Sequence, residues 1–159
     1  RVLFRSIRIL AGGAAVGVTT SYWMLGFSTF FFLSLAFAKR YAELLELSSA
    51  AKSESNRRSY LFEDAPILLA LGVAAGYAAI IIFALYLNTS EVSLLYKGPK
   101  IMWGLVPVLT YWISWIWIQA HRGLMYEDPL LFAFDKKESR ATIVAALLIS
   151  ILATYITIK

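Results

Sequence analysis

Within FFFLSLAFAKRYAELLEL, Phe30 to Leu47, two cations and two carboxylates follow an uncharged aromatic run. On one continuous helix Lys39, Glu43 and Glu46 stand at i, i+4 and i+7 and share a face, with Arg40 three residues before Glu43 and beside it. Cations so placed bind phosphate oxygens. Carboxylates can hold Mg²⁺, which prefers oxygen ligands and commonly bridges one or two acids to a substrate phosphate. The same spacing also describes a basic anchor at a membrane surface, followed by a solvated amphipathic extension.

A second group lies in QAHRGLMYEDP, Gln119 to Pro129. His121 and Arg122 leave a long apolar run on the side to which Lys39 and Arg40 belong, so both pairs would face one cavity, and arginine suits two-pronged phosphate binding. A histidine beside an arginine at an interface is also read as an ordinary surface pair. Arg8, at the edge of the small-residue stretch IRILAGGAAVGV, is a further candidate, because an arginine there points into a bundle or cavity. Glu127-Asp128 before Pro129 close a turn, and Asp135 to Glu138 form a solvated flank.

Other chemistries are excluded by composition. With one histidine and no cysteine in 159 residues there is no thiol nucleophile, no HExxH and no transition-metal cluster. No glycine-rich phosphate loop occurs, and no DxxxD or DxxD that could hold a Mg²⁺-diphosphate unaided.

The elements that must position these groups are membrane helices. Apolar residues make up 60% of the chain and the mean hydropathy is +0.68, values foreign to a soluble domain. A bilayer core of about 30 Å takes roughly 20 apolar residues per helix. Tyr22 to Ala38, Ala65 to Ser90, Ile101 to Ala120 and Ala141 to Ile158 contain no Asp, Glu, Lys or Arg. Ile9 to Val18 is too short to cross alone and reads as the end of another helix. The fold class expected is therefore all-α, a polytopic transmembrane bundle with four full spans plus the end of a fifth.

Local signals refine this picture. Gly72-xxx-Gly76 and Gly13-xxx-Gly17 are small-residue spacings that let helices approach closely. Glu63-Asp64-Ala65-Pro66 starts a helix, Gly98-Pro99 turns the chain back, and Pro107 predicts a kink in a span rich in tryptophan. The net charge of +5 reports orientation and not nucleic acid. Five cations (Lys39, Arg40, Lys52, Arg57, Arg58) and four more (Arg122, Lys136, Lys137, Arg140) flank the spans on one side, against Lys97, Lys100 and Lys159 on the other. The positive-inside rule makes segments 39–64 and 121–140 cytoplasmic loops, with the C-terminus outside. Arg1 to Ser6, RVLFRS, matches the translation of a sequencing-adaptor-like oligonucleotide and is expected to be a non-native scar, with a native basic flank as the alternative.

Taken together, LAGGAAVGV, FLSLAFAKRYAEL, YLFEDAPILLALGVAAGYAA and YWISWIWIQAHRGLMYEDPLLFAF resemble the C-terminal half of UbiA-family prenyltransferases. The likeness is nearest to the bacterial branch with decaprenyl-phosphate phosphoribosyltransferases and UbiA domains fused to a haloacid-dehalogenase-like hydrolase domain. It runs over residues 7–159, with AKRYAEL and AHRGLMYEDP its most specific parts.

The resemblance implies a fragment of a nine-helix bundle in the cell inner membrane, around a cavity with a cytoplasm-facing, Mg²⁺-dependent site. It implies an enzyme that transfers a polyprenyl group, or modifies a polyprenyl phosphate, for example with phosphoribose. A polyprenyl phosphate or diphosphate, an acceptor and a fused or partner hydrolase domain are the implied partners. The family's second motif falls on Lys39, Arg40, Tyr41 and Glu43, where ordinary members carry two aspartates and this chain has one acid and two cations. Lys39, Arg40 and Glu43 would be catalytic and Glu43 a metal ligand, while Arg8, Tyr41, Tyr60, His121 and Arg122 would rim the cavity and bind substrate. The main acidic motif is expected N-terminal to these residues, so the 159 residues alone are expected to be inactive. A non-enzymatic transporter or lipid-binding scaffold is the alternative from another class.

Overall fold

The computed structural model describes residues 21–50, 64–90, 92, 96–125 and 129–156. Arg8, Tyr60, the expected helix end over Ile9 to Val18 and the segment Arg1 to Ser6 lie outside the described residues. Helix α1 runs Tyr22–Ala50, α2 Ala65–Leu87, α3 Leu105–His121, α4 Pro129–Asp135 and α5 Lys137–Tyr155. A 3-10 helix, Pro99–Gly104, leads into α3. No strand occurs among the described residues, so the architecture is all-α.

Four of these helices are long and apolar enough to cross a membrane, over Tyr22–Glu46, Ala65–Leu87, Pro99–His121 and Lys137–Tyr155. Their outer faces fit that setting. Ile67, Leu71, Ile81 and Leu85 on α2, and Leu147, Leu148 and Ile151 on α5, are exposed, which costs little where the surroundings are hydrocarbon. Each helix satisfies its own backbone groups, as a bilayer demands.

Cross-contacts fix the directions. Ser34 meets Gly72 and Phe27 meets Phe83 with ring centroids 5.3 Å apart, so α1 and α2 are antiparallel. Gly72 faces Trp117 and Gly76 faces Ile113, which sets α3 antiparallel to α2. Trp112 bonds Ser139 while Gly98 N–H donates to the Ala153 carbonyl at 2.9 Å, so α5 runs back beside α3. One end of the bundle therefore gathers the last turns of α1 and α3, the start of α2, and α4. The other gathers Asn88, Lys97 and Gly98.

Helix ends follow local chemistry. Pro66 stands in the first turn of α2, where its missing N–H costs no bond. At its far end the Thr89 hydroxyl donates to the Tyr86 carbonyl at 2.8 Å and the Asn88 side chain to the Ala84 carbonyl at 3.2 Å. Helix α3 ends in a Schellman turn: Gly123, at φ +67°, donates to the Ala120 carbonyl, and Leu124 N–H reaches back to the Gln119 carbonyl, both at 3.1 Å.

Two expectations change. Pro107 sits in the first turn of α3 and not within an α-helix already under way: the break in the regular span is the change from 3-10 to α-helix at Leu105, two residues before the proline. The stretch His121 to Arg140 is not simply a loop. It contains α4, and α5 starts at Lys137, four residues before the uncharged run.

Candidate functional site

The polar end of the bundle is built on a buried node. The Ser34 hydroxyl donates to the Gly72 carbonyl at 2.7 Å and accepts the Trp117 indole N–H at 3.1 Å, joining α1, α2 and α3 in one chain of bonds. Gly72 has no side chain because none fits: a Cβ there would meet the Trp117 ring and come within 2.8 Å of Phe37 Cβ. The small-residue spacing read in the sequence is thus the place where the Trp117 ring presses against a neighbouring helix backbone.

Above that node stands Tyr41, 4% exposed. Its ring centroid is 6.2 Å from that of Trp117 and 6.3 Å from the His121 imidazole, the two planes differing by 16°. Its hydroxyl and His121 Nδ1 are 2.9 Å apart. Residues 80 positions apart are so joined, and the charged end of α1 meets that of α3.

Arg40 and Glu43 lie on the outer side of this end. Arg40 Nη1 donates to Glu43 Oε2 at 3.3 Å, with the side chains 53% and 44% exposed, so the guanidinium keeps donors open toward solvent. Arg40 also lines a cleft of about 280 Å³ with Leu44, Asp64, Ile67 and Leu68. Lys39 is half-buried and Glu46 exposed. Arg122 caps α3, exposed beside His121.

Of the residues read as a site, Lys39, Arg40, Tyr41, Glu43, His121 and Arg122 thus occupy one end of the bundle. Tyr41 touches His121, and Arg40 touches Glu43. Glu43 does not by itself make a metal site. Its carboxylate is engaged by Arg40, and no group of three His, Cys, Asp or Glu that could hold a metal occurs among the described residues. A Mg²⁺ bound here would need further ligands.

An apolar groove of about 220 Å³ opens deeper in the bundle, lined by Phe31, Leu109, Trp112, Phe134 and Ile143 among others. Phe31 stacks on Trp112 at 5.6 Å, and Trp112 donates its indole N–H to Ser139 at 2.7 Å. Of the run Phe30 to Phe32, Phe31 lines the groove. Nothing in the local spacing marked Ser34, Trp117 and Ser139 as polar partners, because each bond joins residues at least 27 positions apart.

The chain is similar to two curated proteins of longer length. One, from Sinorhizobium fredii, is described as "Uncharacterized protein y4nM" and is 35% identical over 135 residues, 84% of this chain and 26% of that protein. The other is "Nodulation protein NoeC" of Azorhizobium caulinodans, 36% identical over 129 residues, 79% of this chain and 41% of that protein. The chain therefore spans about a quarter of one relative and two fifths of the other. No protein-family model matches, and no solved structure matches.

Proposed function

We propose that the chain is part of an integral-membrane transferase of the UbiA type, acting on a polyprenyl phosphate or diphosphate at the cytoplasmic face of a bacterial inner membrane. It joins the polyprenyl group to an acceptor, or modifies the polyprenyl phosphate itself, for example with phosphoribose. The observation that carries this reading is the 2.9 Å contact of Tyr41 with His121, which sets Lys39, Arg40 and Arg122 at one end of a bundle whose body holds an apolar groove behind Phe31. A phosphate with a long apolar tail needs that pairing of cations with hydrocarbon.

In this reading Lys39 and Arg40 bind phosphate oxygens, and Arg122 adds a second guanidinium. Glu43 orients Arg40 or the acceptor, and takes part in holding Mg²⁺ only with ligands from outside the described residues. The greater length of the relatives accommodates further helices and a fused or partner hydrolase domain. One observation favours a second reading, a transporter or lipid-binding scaffold without chemistry: Arg40 and Glu43 already neutralise each other in an exposed pair.

The test is turnover of a labelled polyprenyl phosphate in membranes carrying the full-length protein. Lys39→Ala and Glu43→Gln should each lower kcat/KM by about tenfold or more, the effect of losing a charged contact to the reacting group. Wild-type turnover in both variants would remove this stretch from the mechanism.

A further inference from the structure

We infer that Tyr41 is a positioning residue, holding His121 in its Nε2–H tautomer so that the imidazole offers an N–H donor to a phosphate-class anion at the polar end of the bundle. The donor role rests on the transferase reading; the tautomer does not.

The direction of the hydrogen bond follows from what each atom can give. A buried phenol needs an acceptor for its hydrogen. Among the described residues the Tyr41 hydroxyl has one partner, His121 Nδ1 at 2.9 Å. If Nδ1 carried a hydrogen it would donate to the phenol oxygen, and the phenol hydrogen would be left without an acceptor. Tyr41 therefore donates, Nδ1 accepts through its lone pair, and the hydrogen of the neutral imidazole resides on Nε2.

Geometry then sets where that donor is. Nε2 lies across the imidazole from Nδ1, on the side away from the tyrosine hydroxyl. The His121 side chain is exposed while Tyr41 is buried, so the ring bridges the interior and the polar end. Its orientation is fixed by that hydrogen bond, with the two rings nearly parallel and edge to edge. Tyr41 is held in turn by Trp117, which is anchored through Ser34 to the Gly72 carbonyl. A neutral N–H one residue before the exposed Arg122 that caps α3 suits an anion with several oxygens, because arginine supplies charge and the imidazole supplies direction.

The experiment uses the full-length protein in detergent with ¹⁵N-labelled histidine rings, the His121 signals being those lost in His121→Gln. Wild type should show Nε2 protonated and Nδ1 bare, and Tyr41→Phe, which keeps the buried ring against Trp117 but removes its hydroxyl, should give a mixture of tautomers. Binding is read with phosphatidylcholine vesicles doped with an isoprenyl monophosphate, and separately with inorganic phosphate. His121→Ala should weaken binding about tenfold, the scale of a hydrogen bond to a charged group. His121→Gln, whose amide N–H reaches near the Nε2 position, should restore most of it. If both probes follow this pattern, the site reads phosphate itself; if only the vesicles do, it reads a headgroup held by its tail, and either result supports the donor.

An Nδ1–H tautomer in wild type, or a spectrum unchanged in Tyr41→Phe, overturns the positioning role. Wild-type vesicle binding that survives His121→Ala overturns the donor while leaving the transferase reading intact. No preference of the wild type for the phosphate lipid overturns that reading and the donor together, with the tautomer still read from the spectrum.

Discussion

Ser34 and Trp117, 83 residues apart in the chain, meet in the bundle interior through a 3.1 Å hydrogen bond from indole to hydroxyl. Ser34→Ala leaves the buried indole N–H without its acceptor. The helix keeps its own bond to the Gly72 carbonyl, so one polar group is orphaned and not two. Interhelical bonds of this kind contribute about 1 kcal/mol in membranes. A lowered unfolding midpoint in detergent, by an amount equivalent to that figure, is the expected result.

Gly72 and Gly26 should respond oppositely to alanine. At Gly72 the added methyl runs into the Trp117 ring and Phe37, whereas at Gly26 the nearest atom is Ile82 Cγ2 at 3.5 Å, ordinary contact. Overpacking of the first kind costs about 1–3 kcal/mol. Thermal unfolding of the two variants side by side should show Gly72→Ala clearly destabilised and Gly26→Ala close to wild type.

The Arg40–Glu43 pair is exposed on both sides, so its loss should leave the fold almost untouched. An exposed pair contributes at most about 1 kcal/mol. Glu43→Gln is expected to unfold within that margin of wild type, and any larger loss of turnover then belongs to chemistry and not to folding. A large drop in the melting midpoint would show the carboxylate to be structural.

Sidedness is open to direct measurement in the full-length protein with any cysteines elsewhere replaced, because these 159 residues contain none. Asp135→Cys and Asn88→Cys place single thiols at exposed positions on opposite ends of the bundle. A membrane-impermeant maleimide applied to intact cells should label Asn88→Cys and spare Asp135→Cys, as the distribution of cations requires. The reverse pattern would invert the proposed topology.

The spans were legible because charge is expensive in hydrocarbon: the uncharged run Ala65 to Ser90 closely brackets α2, and the i, i+4, i+7 pattern at Lys39, Glu43 and Glu46 correctly extends α1 past its apolar part. Gly72-xxx-Gly76 also gave its message, since close approach depends on local residue size. Helix α4 was hidden inside a segment classified by its charges, although Pro129 followed by LLFAF is a fair helix start. The partners of Ser34, Tyr41 and Trp112 were not legible at all. A hydroxyl or an indole carries no mark of which distant group it will meet, and only the packing of α1, α2, α3 and α5 decides it.

Helix α1 is a single rod. At about 1.5 Å per residue its 29 residues reach about 43 Å, against a hydrocarbon thickness of about 30 Å. Phe31, at the wall of the apolar groove, and Arg40, in the cleft against α2, are borne on that rod about 14 Å apart along its axis and about half a turn round it. Groove and cleft therefore open on opposite faces of α1. One molecule touching both has to wrap round the helix instead of lying along it.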